Sequence, residues 1–350
     1  MPEPRPVFEV DAVATVISVA QLAAAGDAGP DTGLGVVVTP EGRRFTFWTR
    51  PDYDTGRWHV VRVEGDLRDI TAAAIHRADI AGQSRHFNYR DTGQWMFGGP
   101  VHTYHREGKS PRLLMLGQET EKRPGDRVVL VRTVWLVSDD WGDTWRRAGV
   151  ALEHDVHYPK WLFDDLEPFA HWTDGGATLL AVGDDLWIAV SQINGDGVWV
   201  PLGWAMVNLA ELSNAIDQGE PTHYLTRKWL RGGWNSPWNG PVQVASTDDT
   251  WPCTIVRWNT HIQQYVKVTQ LDDLKTVNVS ASVDPFNWPP AQLLLKFDAP
   301  PNRNYVMIGW NTAGDLGEHD ELLFQVWDEP AEELNQHVAG VSVRVRAGPA

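Results

Sequence analysis

The sequence predicts an all-β fold, and more specifically a five-bladed β-propeller, in which short four-stranded sheets stand in a ring. Apolar, β-favouring segments recur along the whole chain with turn signals at short spacing, and long amphipathic helices are missing. Beyond the N-terminal region, only 209–216 and 331–336 look helical. A ring of sheets removes free strand edges by closure. Because the spacing between units is irregular, a six-bladed ring is the less favoured alternative.

The strand segments sort into five units. The propeller is therefore expected to span 31–330, between an N-terminal extension of 1–30, with a short helix near 12–25, and a C-terminal segment of 331–350. Within that last segment, 341–346 is a candidate strand for closing the ring on the N-terminal extension. The members of the five units are 34–38, 44–48 and 58–63; 98–104, 112–116 and 127–137; 169–172, 177–182 and 186–190; 241–245, 253–258 and 265–269; and 292–297, 305–310 and 322–327.

Composition limits the classes of function. The chain has 350 residues and a net charge of −16, with 46 acidic against 30 basic side chains. Such a surface repels phosphate backbones and anionic lipid, so neither nucleic acid nor a membrane is an expected partner. The single cysteine, Cys253, excludes an internal disulfide and is expected to be a buried thiol. The 19 tryptophans serve the core in part, but they also suit a groove that stacks sugar rings.

One turn has a complete sequence signature. The run Ser138-x-Asp140-x-Gly142-x-Thr144-Trp145 follows an apolar segment and predicts a hairpin between two strands. Asp140 can hydrogen-bond the backbone, Gly142 supplies a positive φ, and Trp145 folds back over the apolar side. The signature resembles the Asp-box, a turn between the third and fourth strands of blades in sialidases and other β-propellers. It identifies a blade and says nothing about catalysis.

Three carboxylates are the candidate catalytic residues. Asp31 stands just before the first strand of unit one, Asp91 before unit two and Glu167 before unit three. Hydrolysis of a glycosidic bond requires one carboxylic acid to protonate the leaving oxygen and a second carboxylate to act as base or nucleophile. Glu167 lies among aromatic residues that include Trp161 and Trp172, and such desolvation raises a carboxyl pKa toward that of a general acid. An ordinary acidic surface loop is the alternative at each position.

Asp31, Asp54 and Asp91 each begin an Asp-Thr-Gly triplet. Aspartic proteases carry this triplet after an apolar strand, where two carboxylates share a proton. None of the three follows an apolar strand here, so the sequence favours turns over a protease.

Residues for substrate binding are suggested by two further segments. The first is the segment 229–240, where Trp229, Trp234 and Trp238 lie on a loop rich in Gly, Asn and Pro. Tryptophans on such a loop are hard to bury and predict an aromatic platform for a sugar chain, with packing beneath a blade rim as the alternative. His102 follows two glycines that allow a ligand close to the strand, although a core or surface histidine is the alternative. The candidates for substrate binding are His102, Trp161, Trp172, Trp234, Trp238 and Asn239.

No metal or cofactor is expected. His102 and His105 are three positions apart and would face opposite sides of a strand, which argues against a two-histidine site. A Ca²⁺ suits so acidic a chain, but no ligand loop of recognisable spacing indicates one. The oligomeric state is not indicated by the sequence.

The layout resembles actinobacterial five-bladed propellers that include endo-D-arabinanases. The resemblance rests on the segment 31–35, on the turn at 138–145, and on 254–259 with 265–268 after it. Members of that group carry a Gly-Asp pair at the end of the second strand of unit one, where this chain has Trp48-Thr49-Arg50-Pro51-Asp52. The wider arabinanase and xylosidase clan implies Asp31 and Glu167 as the catalytic pair.

The resemblance implies a glycoside hydrolase acting on an arabinose-rich or other neutral cell-wall polysaccharide. Asp31 would be the base or nucleophile and Glu167 the acid, with Asp91 or His102 in tuning and positioning. The alternative is a non-catalytic glycan-binding propeller, such as a phage tail or cell-surface adhesion protein. No signal peptide is visible at the start. The protein is therefore expected in the cytoplasm by default, or in a virion or outside the cell if it is phage-derived or a signal was removed.

Overall fold

The structure is a computed structural model that describes residues 5–25, 30, 33–52, 57–81, 94–121, 130–153, 178–193, 199–245, 254–271, 273–298, 303–328 and 336–347. Strands dominate these residues, as expected for an all-β chain, and the α-helices among them are short: α1 (Val19–Ala24) and α2 (Leu209–Gln218). The strands in chain order are β1 (Val7–Ile17), β2 (Gly35–Val38), β3 (Arg44–Asp52), β4 (Arg57–Glu64), β5 (Ile75–Ala81), β6 (Gln94–Tyr104), β7 (Arg112–Glu121), β8 (Leu130–Ser138), β9 (Trp145–Glu153), β10 (Leu179–Val182), β11 (Asp185–Ile193), β12 (Trp199–Asn208), β13 (Arg227–Leu230), β14 (Gly233–Pro237), β15 (Thr254–Asn259), β16 (Gln264–Gln270), β17 (Thr276–Ser282), β18 (Gln292–Lys296), β19 (Arg303–Trp310), β20 (His319–Asp328) and β21 (His337–Arg346).

The strands form four sheets within the described part of the chain. Three sheets have the orders β1-β21-β20-β19, β10-β11-β12-β13-β14 and β15-β16-β17-β18, and the fourth has the order β2-β3-β4-β5-β9-β8-β7-β6. In this eight-stranded sheet, two runs of consecutive strands meet where β5 and β9 pair in parallel, at Ile80↔Trp145 and Ala81↔Arg146. Consecutive strands such as β15 and β16 pair antiparallel, which the short turn between them allows.

The N-terminal strand pairs with the C-terminal one. β1 runs antiparallel to β21 from Val7↔Arg346 to Ile17↔Val338. The sequence predicts a helix near 12–25, whereas the structure continues β1 through Ile17 and begins α1 only after the capping residue Ser18. Alanine favours a helix locally, but the long ladder with β21 satisfies the backbone and outweighs that preference.

Helix α2 confirms the helix expected at 209–216. The side chain of Asn208 caps its first turn, accepting from the backbone of Ala210 and Glu211, and Gly219 ends it with a φ of 69°. The strand expected at 169–172 lies outside the described residues, as does nearly all of the helix expected at 331–336.

One strand belongs to a different sheet from the one predicted. The sequence assigns 292–297 to unit five, but β18 pairs with β17, from Thr276↔Lys296 to Val279↔Gln292. The turn that joins β17 to β18 contains Pro289 and Pro290. Prolines interrupt a strand, but here they do not mark a boundary between two sheets, because β17 and β18 are neighbours in one sheet. The prediction was wrong because local turn signals do not reveal which neighbour a strand pairs with.

The segment 241–245 was also expected to be a strand and is not one. The Gln243 N–H donates to the carbonyl of Trp229 at 2.8 Å, and the Ala245 N–H donates to the carbonyl of Leu202 at 2.7 Å. Each of these two N–H groups is satisfied by one hydrogen bond to a different strand, so the segment does not form a continuous ladder with either strand.

Contacts divide the chain into two compact units. The first comprises Met1–Trp48, Val61–His76 and Asp248–Ala350, and the second comprises Thr49–Val60 and Arg77–Thr247. Each unit has its own apolar core. Buried members of the first core include Leu22, Leu34, Trp48, Val61, Ile308 and Leu323, and those of the second include Leu114, Trp135, Leu152, Ile188, Ala205 and Leu212.

The hairpin predicted at 138–145 is present between β8 and β9. The two carboxylate oxygens of Asp140 accept from the backbone N–H and the hydroxyl of Thr144, at 2.9 and 2.6 Å. The hydroxyl oxygen of Ser138 accepts from the Gly142 N–H at 2.8 Å, and Gly142 has a φ of 88°. Trp145 is 2% exposed, so the indole covers the apolar side as expected.

A buried arginine joins this turn to the helix. Arg112, at the start of β7, is 1% exposed. It donates to both carboxylate oxygens of Asp139 at 2.8 and 3.1 Å, to Asp217 on α2 at 2.6 Å, and to the Ser213 carbonyl at 3.0 Å. Burial disfavours the charged guanidinium, but the hydrogen bonds to the two aspartates outweigh it and raise the pKa of Arg112.

This cluster predicts a loss of stability in acid. Hydrogen bonds from Lys109 and Arg112 lower the pKa of Asp217 from 3.8 to about 2. A carboxyl whose pKa is lower in the folded state adds stability above its unfolded pKa and loses it as the pH falls through the folded pKa. We therefore expect the free energy of unfolding to decline between about pH 3.8 and about pH 2, and Asp217→Asn to flatten this decline. Urea unfolding across this range measures it, and identical slopes in both proteins would contradict the expectation.

Candidate functional site

Five of the predicted site residues lie outside the described residues: Asp31, Asp91, Trp161, Glu167 and Trp172. The structure does describe the strands that follow the three carboxylates in the chain. Asp31 precedes β2, Asp91 precedes β6 and Glu167 precedes β10. Strands β2 and β6 are the two edges of the eight-stranded sheet, and β10 is an edge of its own sheet. Asp31 and Asp91 therefore stand a few residues before edge strands, whereas Glu167 is separated from β10 by residues 168–177, which lie outside the described part of the chain.

The chain just after Asp31 is held firmly. The N–H of Leu34 donates to the carbonyl of Ile308 in β19 at 2.6 Å, and Leu34 is 4% exposed. Strand β19 has a register shift between Met307 and Gly309, and Gly309 has a φ of 148°. A Cβ on Gly309 would lie 3.3 Å from the Leu34 carbonyl oxygen. The glycine thus permits both the backbone conformation and the close approach that position the start of β2.

Gly309→Ala is expected to cost about 1–3 kcal/mol of stability, because alanine rarely adopts this φ and its methyl would press on Leu34. Thermal or urea unfolding measures the loss. Gly317→Ala is the matched control, because nothing lies within 4 Å of a Cβ there. Equal stability of the two variants would contradict this account of the β2 start.

His102 lies far from the start of its strand. His102 pairs with Leu114 near the end of β6, whereas β6 begins at Gln94. The neighbouring residue of β7, Leu113, pairs with Ser138 at the end of β8. At ~3.3 Å per residue, roughly 25 Å of strand separates Gln94 from His102. His102 is half-buried. His102 therefore lies near the end of β6, and the predicted role of Asp91, which is outside the described residues, stays a prediction.

Three tryptophans in the β10–β14 sheet form a cluster that we call the tip cluster: Trp187, Trp229 and Trp234. The ring centroids of Trp234 lie 5.3 Å from Trp187 and 5.1 Å from Trp229, both edge to face. The fully buried Trp204 supports Trp187 from a centroid distance of 6.0 Å. All three members of the cluster are partly exposed. Edge-to-face packing fixes such rings rigidly, which lowers the entropy cost of presenting them to a ligand.

The other predicted loop residues belong to a second aromatic group. The ring of Trp238 lies 4.5 Å from His223, which contacts Tyr224 at 5.8 Å. Asn239 is half-buried in the tight turn that follows β14, where the Gly240 N–H donates to the Pro237 carbonyl at 2.9 Å. The expected single platform of Trp229, Trp234 and Trp238 is therefore divided between two groups.

Polar side chains border the tip cluster. Asn235 is exposed and donates to the Leu230 carbonyl at 3.1 Å, and the side-chain oxygen of Gln243, also exposed, accepts from the Gly232 N–H at 3.4 Å. Aromatic faces with amide groups at their edge are suited to sugars, which present both C–H faces and hydroxyls. The sequence pattern identified Trp229 and Trp234 but missed Trp187, which lies in an apolar strand and has no loop signal.

No group of three or more His, Cys, Asp or Glu side chains suited to a metal ion occurs among the described residues. The expectation of a cofactor-free protein stays a prediction. In the same part of the chain, none of the helices has the length and apolar character needed to cross a membrane.

Comparison with known proteins defines the fold. No family model and no curated protein matches the sequence. Among solved structures, an α-L-arabinofuranosidase from Lactobacillus brevis is similar with a TM-score of 0.51 and 11% identity, over 88% of this chain and 89% of that one. A family 117 glycoside hydrolase from Zobellia galactanivorans is similar with a TM-score of 0.50 and 9% identity, over 98% and 91%. At such identities the likeness shows the fold alone, the all-β propeller of these hydrolases.

Proposed function

We propose that the chain is a glycoside hydrolase that cleaves an arabinose-rich or other neutral cell-wall polysaccharide. The observation that carries the proposal is that Asp31, Asp91 and Glu167 each precede an edge strand, β2, β6 and β10. In a propeller, the edge strand that begins each blade lines the central channel. Side chains at the starts of such strands converge at one mouth of that channel, although they are distant in sequence.

The ring in this proposal has five blades. The strand runs β2–β5, β6–β9, β10–β14 and β15–β18 supply four of them, and β19–β21 with β1 supply the fifth. The pairing of β1 with β21 would close the ring. The turn between β8 and β9 joins the third and fourth strands of its run, which supports its assignment as an Asp-box.

Asp31 and Glu167 are the proposed catalytic pair. Glu167, desolvated by Trp161 and Trp172, would protonate the leaving oxygen, while Asp31 would act as base on a water or as nucleophile on the anomeric carbon. Asp91 would tune the pKa of this pair through its charge. His102, which pairs with Leu114 near the end of β6, is proposed as the alternative to Asp91 in this positioning role.

The proposed substrate follows from the fold and the charge. The Lactobacillus brevis structure is described as an arabinofuranosidase, which supports an arabinose-containing polymer. A net charge of −16 disfavours acidic polysaccharides. Oligosaccharide or polysaccharide is thus the proposed partner, with no metal or cofactor in the reaction.

Release of reducing sugar from arabinogalactan, arabinan and xylan tests the proposal. We expect release from the arabinose-rich polymers. Binding of these polymers without any release would identify a glycan-binding propeller, and would overturn the hydrolase.

A further inference from the structure

The second aromatic group lies where β13 begins and β14 ends, beside the pair Arg227↔Pro237. Its rings are those of His223, Tyr224 and Trp238. The ring centroid of His223 lies 5.8 Å from that of Tyr224 and 4.5 Å from that of Trp238. Tyr224 is 43% exposed, and the other two side chains are half-buried. The group therefore presents aromatic surface to solvent, and such surface is enriched at binding sites.

The backbone that carries two of these rings is held in place. His223 and Tyr224 belong to a short 3₁₀ turn. Thr222, which precedes the turn, is fully buried and donates its hydroxyl to the carbonyl of Val150 in β9 at 2.8 Å. The guanidinium of Arg227 donates to the carbonyl of Tyr224 at 2.7 Å. Because these bonds fix the turn before a ligand arrives, they lower the entropy cost of binding.

Four polar side-chain groups in and beside this group have no hydrogen-bond partner among the described residues. They are the imidazole of His223, the hydroxyl of Tyr224, the indole N–H of Trp238 and the side-chain amide of Asn239, which follows Trp238 in the chain. The indole N–H only donates, whereas each of the other three groups can both donate and accept. A ligand that carries hydroxyls can therefore replace the water that such groups bind in the free protein.

We propose that the second aromatic group, together with Asn239, is a binding site for neutral sugar units of a glycan. A sugar ring has a C–H face that stacks on an aromatic ring, and hydroxyls that both donate and accept hydrogen bonds. The site offers partners for both. A net charge of −16 disfavours an acidic sugar chain as the occupant. The inference goes beyond hydrolysis, because the site requires neither Asp31 nor Glu167 and would hold a glycan that the protein does not cleave.

Binding to soluble arabinan, measured by affinity electrophoresis, tests this proposal. The parent protein carries Glu167→Gln, so that the polymer stays intact during the measurement. Trp238→Ala and Tyr224→Ala are each expected to weaken binding about 3- to 10-fold, because each removes a ring that stacks on a sugar. Trp238→Phe, which keeps an aromatic ring, is expected to recover most of the loss. Leu293→Ala is the control and should bind like the parent, since Leu293 is an apolar side chain on β18 that is 61% exposed.

Three results would overturn the proposal: equal binding by the parent and Trp238→Ala, no binding of the parent to arabinan, or tighter binding to the acidic polymer polygalacturonate than to arabinan. Thermal unfolding shows whether each variant is folded. If Trp238→Ala is unfolded, Tyr224→Ala decides in its place, with Tyr224→Phe to isolate the hydroxyl. Release of reducing sugar by the wild-type protein is measured separately, so this site and the proposed hydrolase can fail independently.

Discussion

Glu167→Gln is expected to lower kcat on an arabinose-rich polysaccharide by about 10²–10⁴-fold, because a positioned general acid contributes a factor of this size. Glutamine keeps the shape of the side chain and its hydrogen-bonding oxygen but has no acidic proton to donate. Substrate binding should therefore change little.

Asp31→Asn is expected to cause a loss of similar or greater size, because it removes the base or nucleophile. Steady-state kinetics with reducing-sugar detection measures both.

Two control variants distinguish the loss of a catalytic group from the mere loss of one negative charge. Glu211→Gln makes the same chemical change on the exposed face of α2, and Asp143→Asn makes the second change in the exposed turn between β8 and β9. Both controls are expected to retain wild-type rates within about 2-fold. A Glu167→Gln protein with more than half of the wild-type rate would show that the acid has been assigned to the wrong residue.

Arg112→Met is expected to destabilise the fold by about 3–5 kcal/mol, because breaking a buried ion pair leaves its partners uncompensated. Methionine fills much of the volume but donates no hydrogen bond to Asp139, Asp217 or the Ser213 carbonyl. Asp139 and Asp217 are 39% and 30% exposed, so water can reach them in the variant. The loss should therefore fall near the lower limit of the range.

Lys109→Met is the control for this prediction. Lys109 contacts the same Asp217 at 2.8 Å but is 59% exposed, and surface ion pairs contribute only about 0–1 kcal/mol. Urea denaturation with an unchanged m-value measures both differences. A loss below about 1 kcal/mol in Arg112→Met would show that the cluster does not hold the turn and α2 together.

Local features of the fold were predictable from the sequence. The hairpin at 138–145 and the helix α2 depend on side chains within a few positions of the backbone groups they satisfy. Pairing between distant segments was not predictable in this way. The alanine-rich segment 12–25 reads as a helix, but pairing with β21 makes its first part, through Ile17, a strand, and only 19–24 is helical.

In the candidate site, too, only the features that depend on nearby residues were predictable from the sequence. Trp234 was predictable as a partly exposed aromatic residue because the segment around it is rich in Gly and Asn, although this segment forms strand β14 and not the expected loop. That Trp187 joins it, and that Trp238 does not, depends on strand order and register across five strands. The Arg112 cluster draws on three separate segments and leaves no local pattern in the sequence.

The most direct test of the proposed convergence is the separation of the two catalytic side chains in a crystal structure of the Glu167→Gln protein with a bound arabino-oligosaccharide. The side-chain ends at positions 31 and 167 should lie about 5–9.5 Å apart across the bound sugar, with the short end of this range indicating retention and the long end inversion of stereochemistry. Side chains on opposite faces of the molecule, or sheets stacked flat with no central channel, would contradict the account.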